Sequence, residues 1–142
     1  MWIVFALLAA LVTAIVVTLS KAGIKNVPPS LAFAVQSVLI IVVAWSTVAW
    51  QGLWPEIERI ERKTWLILVA AGVLTGVSSL LSFKALSLGE ASRVSPLTSL
   101  ALVFSITLAF IFLKEKLNWQ IVAGAVLMAG GAVLIALSEP AK

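Results

Sequence analysis

Long apolar runs follow one another along this chain, each closed by a short polar or proline-bearing stretch. Residues 2–20 are apolar except for Thr13, Thr18 and Ser20, and they end at Lys21 and the stretch KAGIKNVPPS. Residues 31–50 form the second run, entered through Pro28-Pro29-Ser30, where proline at a helix start sacrifices no needed N–H. The third covers residues 65–88, with Gly89 placed to cap its end. The fourth, residues 91–113, is interrupted by Pro96, and the fifth, residues 119–137, stops before Ser138-Glu139-Pro140. A helix that crosses a bilayer needs about 20 mostly apolar residues. The pattern therefore predicts an all-α membrane protein with five transmembrane helices in a single domain of 142 residues.

The widest polar gap is QGLWPEIERIERKT, residues 51–64. Pro55 is placed to open a short helix with Glu56 in its first turn, Ile57 and Ile60 on one side, and Glu58 four residues before Arg62. That reads as an amphipathic helix lying on the membrane surface, or else as a solvated charged loop. Trp2, Trp50, Trp54, Trp65 and Trp119 fall at the ends of runs, as indole rings favour the headgroup region. With five alternating spans all of them reach the same side of the membrane, and Trp45 alone sits deeper.

Composition sharpens this picture. The chain is 62% hydrophobic and 11% charged, with a mean hydropathy of +1.16. A soluble domain would be about a quarter charged, so lipid is the solvent that suits this chain. Without cysteine or histidine it lacks thiol nucleophiles, imidazole bases and nearly all transition-metal ligands, and no cofactor is expected. Ten Lys/Arg stand against six Asp/Glu, but no basic run or stacking platform points to nucleic acid. The N-terminal run has no positive leader and no small-x-small cleavage site, so it is expected to remain as a permanent first span. The expected location is the cytoplasmic (inner) membrane of a prokaryote, crossed several times.

Charge does not select an orientation. On five spans the tryptophan-rich side carries Arg59, Arg62, Lys63, Lys114 and Lys116, and the other side Lys21, Lys25, Arg93 and Lys142, with Lys84 at its border. Orientation follows the Lys/Arg bias, and here the bias is close to nil. Either the chain inserts both ways and pairs with an inverted copy of itself, or uneven weighting of individual loops still fixes one orientation.

The polar residues cluster in residues 82–100. Lys84 lies four residues before Leu88, the last apolar position of the third span, so it either snorkels to the interface or faces an aqueous vestibule. Glu90 and Arg93 flank the turn into the fourth span; Glu90 suits a helix N-terminus, and the pair is either a structural turn or a gating ion pair. Pro96 removes an N–H and crowds the carbonyl of Ser92, which predicts a kink best tolerated beside a cavity or packed protein. Ser92, Ser95 and Ser99, bordered by Thr98, form one hydroxyl stripe, and Thr75, Ser79 and Ser82 form another on the third span. Such stripes either line a polar path or let helices approach closely. Gly72 and Gly76, and on the last span Gly124, Ala125, Ala129, Gly131, Ala132 and Ala136, read as helix-packing surfaces. The acids Glu56, Glu58, Glu61, Glu90, Glu115 and Glu139 all lie at turns or in loops, so none is an obvious intramembrane proton carrier. An intramembrane enzyme has almost no support, because Glu90 has no acid–base partner within a span.

These residues resemble a known family. The aromatic-x-Ala-Leu at Phe83–Leu86, the small-residue turn Ala91-Ser92, Pro96, the segment from Leu113 to Leu117 with Glu115, then Gly124 and Gly130-Gly131, are similar in order and spacing to an EamA-type domain of the drug/metabolite transporter superfamily. Trp2, Lys21 and the five-span layout extend the resemblance over essentially the whole chain. Most such proteins carry two five-span units, the second inverted. The resemblance therefore implies one inverted-repeat half of a drug/metabolite transporter-like fold, completed by an antiparallel homodimer. It implies a secondary transporter subunit moving small metabolites or drug-like solutes by alternating access. The alternative is an accessory subunit, or a lipid-carrier flippase component, that needs a different inverted partner. Four-span small multidrug resistance proteins hold a glutamate in their first span, and this first span has no acid. Related half-length proteins carry an arginine where Gln36 stands and a charged pair at Thr98-Ser99, so the resemblance puts Gln36 on the path without a strongly charged substrate site.

Overall fold

A computed structural model describes residues 2–114, 116 and 118–138. Glu115, Leu117, Glu139, Pro140 and Lys142, named above, lie outside the described residues. Among the described residues every regular element is helical, and five helices are long and apolar enough to cross a membrane. The chain divides into two compact units, one up to Leu88 and one from Gly89 onward.

The first unit holds α1 (Trp2–Gly23), α2 (Pro29–Trp50), the single turn α3 (Trp54–Ile57) and α4 (Arg62–Leu88). At 22 residues, α1 and α2 are each about 33 Å long, enough for a hydrocarbon core of about 30 Å. α1 continues past Ser20 through Lys21 to Gly23 and closes in a 3₁₀ turn at Ile24–Asn26. Val27 is then extended (φ −132°, ψ 136°) because the residue before a proline is pushed out of the helical region. Pro29 occupies the first helical position of α2. α2 ends at Gly52, which takes the left-handed conformation (φ 66°). The Gly52 N–H donates to the Ala49 carbonyl at 3.2 Å and the Leu53 N–H to Val48 at 3.1 Å, which satisfies two of the last orphan carbonyls. α4 packs along α2 and also meets α1.

The connection between α2 and α4 is only partly helical. Pro55 and Glu56 do lie in the first turn of α3, but that helix stops at Ile57 and Arg62 opens α4. The Glu58–Arg62 spacing therefore falls on no single helix. Trp54 stacks on Trp45 with centroids 5.4 Å apart and an interplanar angle of 17°, and Ile57 and Ile60 line a pocket with Trp45, Val48, Leu53 and Trp65. The stack of the two half-exposed tryptophans and the packing of the half-buried Ile57 and Ile60 beside it fold the segment back over the end of α2 and outweigh the local helical period. The 2.8 Å ion pair between Arg59 and Glu56 is exposed on both sides and adds little.

The second unit holds α5 (Ala91–Thr98), α6 (Leu100–Phe112) and α7 (Trp119–Leu137). α5 and α6 together make the fourth candidate span, Ala91–Phe112. They break at Ser99, one turn beyond Pro96. α7 packs against both, and its buried residues are Ala125 and Ala132. Across both units large apolar side chains stand exposed, among them Leu74, Leu127 and Leu134. An apolar surface this continuous is unsustainable in water and is matched by acyl chains.

Candidate functional site

Within the first unit three polar-studded helix faces meet. Thr13, Val16, Val17 and Ser20 of α1, Phe33, Gln36 and Ile40 of α2, and Ser78, Ser79, Ser82, Phe83 and Leu86 of α4 enclose a cavity of about 300 Å³. Each set keeps the three- and four-residue spacing of one helix face. A second cavity of about 410 Å³ shares Val16, Ser20, Gln36 and Phe83 and runs on to Gly23 and Val27 at the end of α1. Thr13 is ten residues from the end of α1, so the polar lining reaches about 15 Å into the bundle, close to half the depth of the bilayer core.

The polar groups of this lining differ in how they are used. The Thr13 hydroxyl donates to the Ala9 carbonyl at 2.8 Å and Ser82 to Ser78 at 2.9 Å, the back-bonding usual for hydroxyls inside helices. Ser20, Gln36 and Ser79 are half-buried, and among the described residues none of their side chains forms a hydrogen bond. Phe33 and Phe83 meet in a tilted pair at 5.8 Å and 57°. Among the described lining residues of both cavities there is no acid and no base.

Two cations, one in each unit, are engaged at helix ends. Lys21 donates from Nζ to the Leu86 carbonyl at 2.6 Å. That carbonyl belongs to the last turn of α4, where positive charge is favoured by the helix dipole. Arg93 does the same in the second unit, donating from Nη2 to the Ala136 carbonyl at 2.8 Å, in the last turn of α7.

The model of the EamA-like transporter family matches residues 1–137. The chain belongs to the EamA-like transporter family. A Sinorhizobium protein named "Uncharacterized transporter in cobO 3'region" is 37% identical over 136 residues, covering 96% of each chain. A fission yeast protein named as an uncharacterized solute carrier family 35 member is 32% identical over 144 residues; the match takes in 97% of this chain and 28% of the yeast protein. No solved structure matches. Family membership supports a role as a membrane transporter, and the five apolar helices make the chain a multi-pass membrane protein.

The remaining candidate residues of this EamA chain are distributed as follows. Gln36, Ser79 and Ser82 line the cavity, whereas Thr75 is exposed and donates to Ala71 at 2.8 Å. Lys84 is exposed and lines neither cavity. On α5 the Ser95 carbonyl accepts from the Ser99 N–H (3.1 Å), the Ser99 hydroxyl (3.0 Å) and the Thr98 hydroxyl (2.8 Å). Ser92 is exposed and Pro96 half-buried. Glu90 is the N-cap of α5 through its backbone, its carbonyl accepting from Arg93 and Val94, while the Arg93 guanidinium turns to Ala136. Gly124, Ala129, Gly131 and Ala136 are half-buried on α7 beside the buried Ala125 and Ala132. A Cβ added at Gly72 or Gly76 would meet nothing within 4 Å.

The pattern of polar positions left out Thr13, Ser20, Phe33, Ser78 and Phe83, and the role of Lys21. The signal for the first two is the 13-16-17-20 face of the first span, which carries polar residues at both ends.

Proposed function

We propose that this chain is the subunit of a secondary transporter that moves small solutes across a prokaryotic cytoplasmic membrane by alternating access, as an antiparallel homodimer. One observation carries the reading: among the described residues Gln36, Ser20 and Ser79 form no side-chain hydrogen bond, and they line a cavity that reaches about half the bilayer depth. Such groups are costly against lipid and useful against a polar solute. Secondary transporters place solute near the midplane between inverted repeats. One five-span unit supplies one repeat, an inverted copy supplies the other, and the near-equal charge on the two sides favours insertion both ways. In this reading the broken α5–α6 span, with Ser92, Ser95, Pro96, Thr98 and Ser99, moves during transport, and Glu90 and Arg93 form the turn that opens it. Thr75 and Lys84 contribute to the path from the first unit, and the open Gly72–Gly76 face receives the second copy. The names of the two relatives, a transporter and a solute carrier, support the same class.

The test has two parts. Fused at the C-terminus, green fluorescent protein, which folds in the cytoplasm, and alkaline phosphatase, active outside, should both give signal. Signal from one alone shifts the reading to an accessory subunit with a different inverted partner. Mass spectrometry of small metabolites inside and outside expressing cells should show pools that change with the wild-type chain and not with Gln36→Leu. No such pool would remove the transport reading.

A further inference from the structure

We infer that the α1–α2–α4 cavity selects an uncharged organic solute that hydrogen-bonds through a hydroxyl or amide and carries one aromatic or apolar face. This rests on the transport reading and adds the substrate class. The lining supplies a carboxamide at Gln36, at once donor and acceptor, and two hydroxyls at Ser20 and Ser79 with no partner in the protein among the described residues. It supplies the tilted Phe33–Phe83 pair for a ring or alkyl face. It supplies no carboxylate for a cation and no ammonium or guanidinium for an anion. Lys21, the basic group nearest along α1, places its Nζ on the Leu86 carbonyl, and Lys84 is exposed outside the lining. A charged solute would give up its hydration for neutral dipoles and apolar walls, which disfavours it relative to a neutral one of the same shape. The volume of about 300 Å³, which shares Val16, Ser20, Gln36 and Phe83 with a neighbouring one of about 410 Å³, lies in the range of pockets that hold compact organic molecules.

Three tritiated probes of one shape separate the charge classes: tyrosol, which is neutral, tyramine, a cation, and 4-hydroxyphenylacetate, an anion. Neutral probes leak through bilayers, so the readout is saturable equilibrium binding to the purified chain in detergent, competed with unlabelled probe. Tyrosol should bind at least about tenfold more tightly than either charged analogue, as fits a site that would have to desolvate an unpaired charge. Gln36→Leu should weaken tyrosol by about tenfold and Ser79→Ala by a few-fold, the latter serving if the leucine variant fails to fold. Gln36→Glu should reverse the order in favour of tyramine. The inference is overturned if tyrosol shows no saturable binding, if a charged probe binds as tightly, or if neither variant changes tyrosol affinity. A solute pool that changes with the wild-type chain and not with Gln36→Leu in cells would in that case leave transport standing and remove only the substrate class.

Discussion

Lys21 and Arg93 show how single residues tie this protein together inside lipid. A helix end leaves carbonyls without partners, and where such an end is shielded from water a protein donor must satisfy them. Each cation reaches across to the last turn of a neighbouring helix, Lys21 to Leu86 and Arg93 to Ala136, over 65 and 43 residues of sequence. Leu86 is only 6% exposed, so removing the donor strands a buried acceptor. Lys21→Met should therefore cost about 1–3 kcal/mol, read as a lower unfolding midpoint in detergent, and Lys21→Arg should restore most of it. Equal midpoints for Met and wild type would show that the carbonyl finds another donor. Neither role was legible in the sequence: it shows a cation near a span end, while its partner is a main-chain oxygen whose place depends on the packing of two helices. Gln36 was legible only through the family resemblance, which marks its position on the path; the apolar pattern of 31–50 alone did not single it out.

At the scale of elements, the apolar runs were readable because lipid imposes one rule, an unbroken apolar helix of bilayer length. What the runs do not carry is the behaviour of the connections. Residues 62–64 join α4 because nothing there breaks a helix, and α3 is cut to four residues by the Trp45–Trp54 stack, a contact across elements. The fourth span was readable as kinked, but its break lies at Ser99. Pro96 withholds an N–H from Ser92, and the hydroxyls of Thr98 and Ser99 both bond back to Ser95, an arrangement that bends helices. Pro96→Ala restores the missing donor and should fuse α5 and α6 into one helix. The expected result is a higher unfolding midpoint by about 1 kcal/mol or more together with a smaller change in the transported pool. Hydrogen exchange at residues 97–103 would slow in parallel. A variant that is more stable and fully active would show that the break plays no part in movement.

The whole molecule poses the question of how one five-span unit can work. The unpaired polar cavity lies entirely in the first unit, and the chain spans 96% of its Sinorhizobium relative but 28% of the yeast solute carrier. The longer relative has chain beyond the matched segment, and in the proposed reading an inverted copy supplies the second repeat. With such a copy as partner, the near-balance of Lys and Arg is what maintains both orientations, and small changes in it should matter more than any contact. Gln51→Lys with Asn118→Lys adds charge to the tryptophan-rich side, and Arg62→Gln with Lys63→Gln removes charge from it. Each pair should drive the chain to one orientation, opposite for the two, as the reporters at the C-terminus would show. Each alone should then lose the metabolite change, and the two expressed together should regain it. Neither pair touches the cavity lining, so recovery on co-expression can only come from assembly of opposite orientations. Full activity of either biased chain alone would mean that the antiparallel dimer is not the working form, and that the cavity functions within a single orientation.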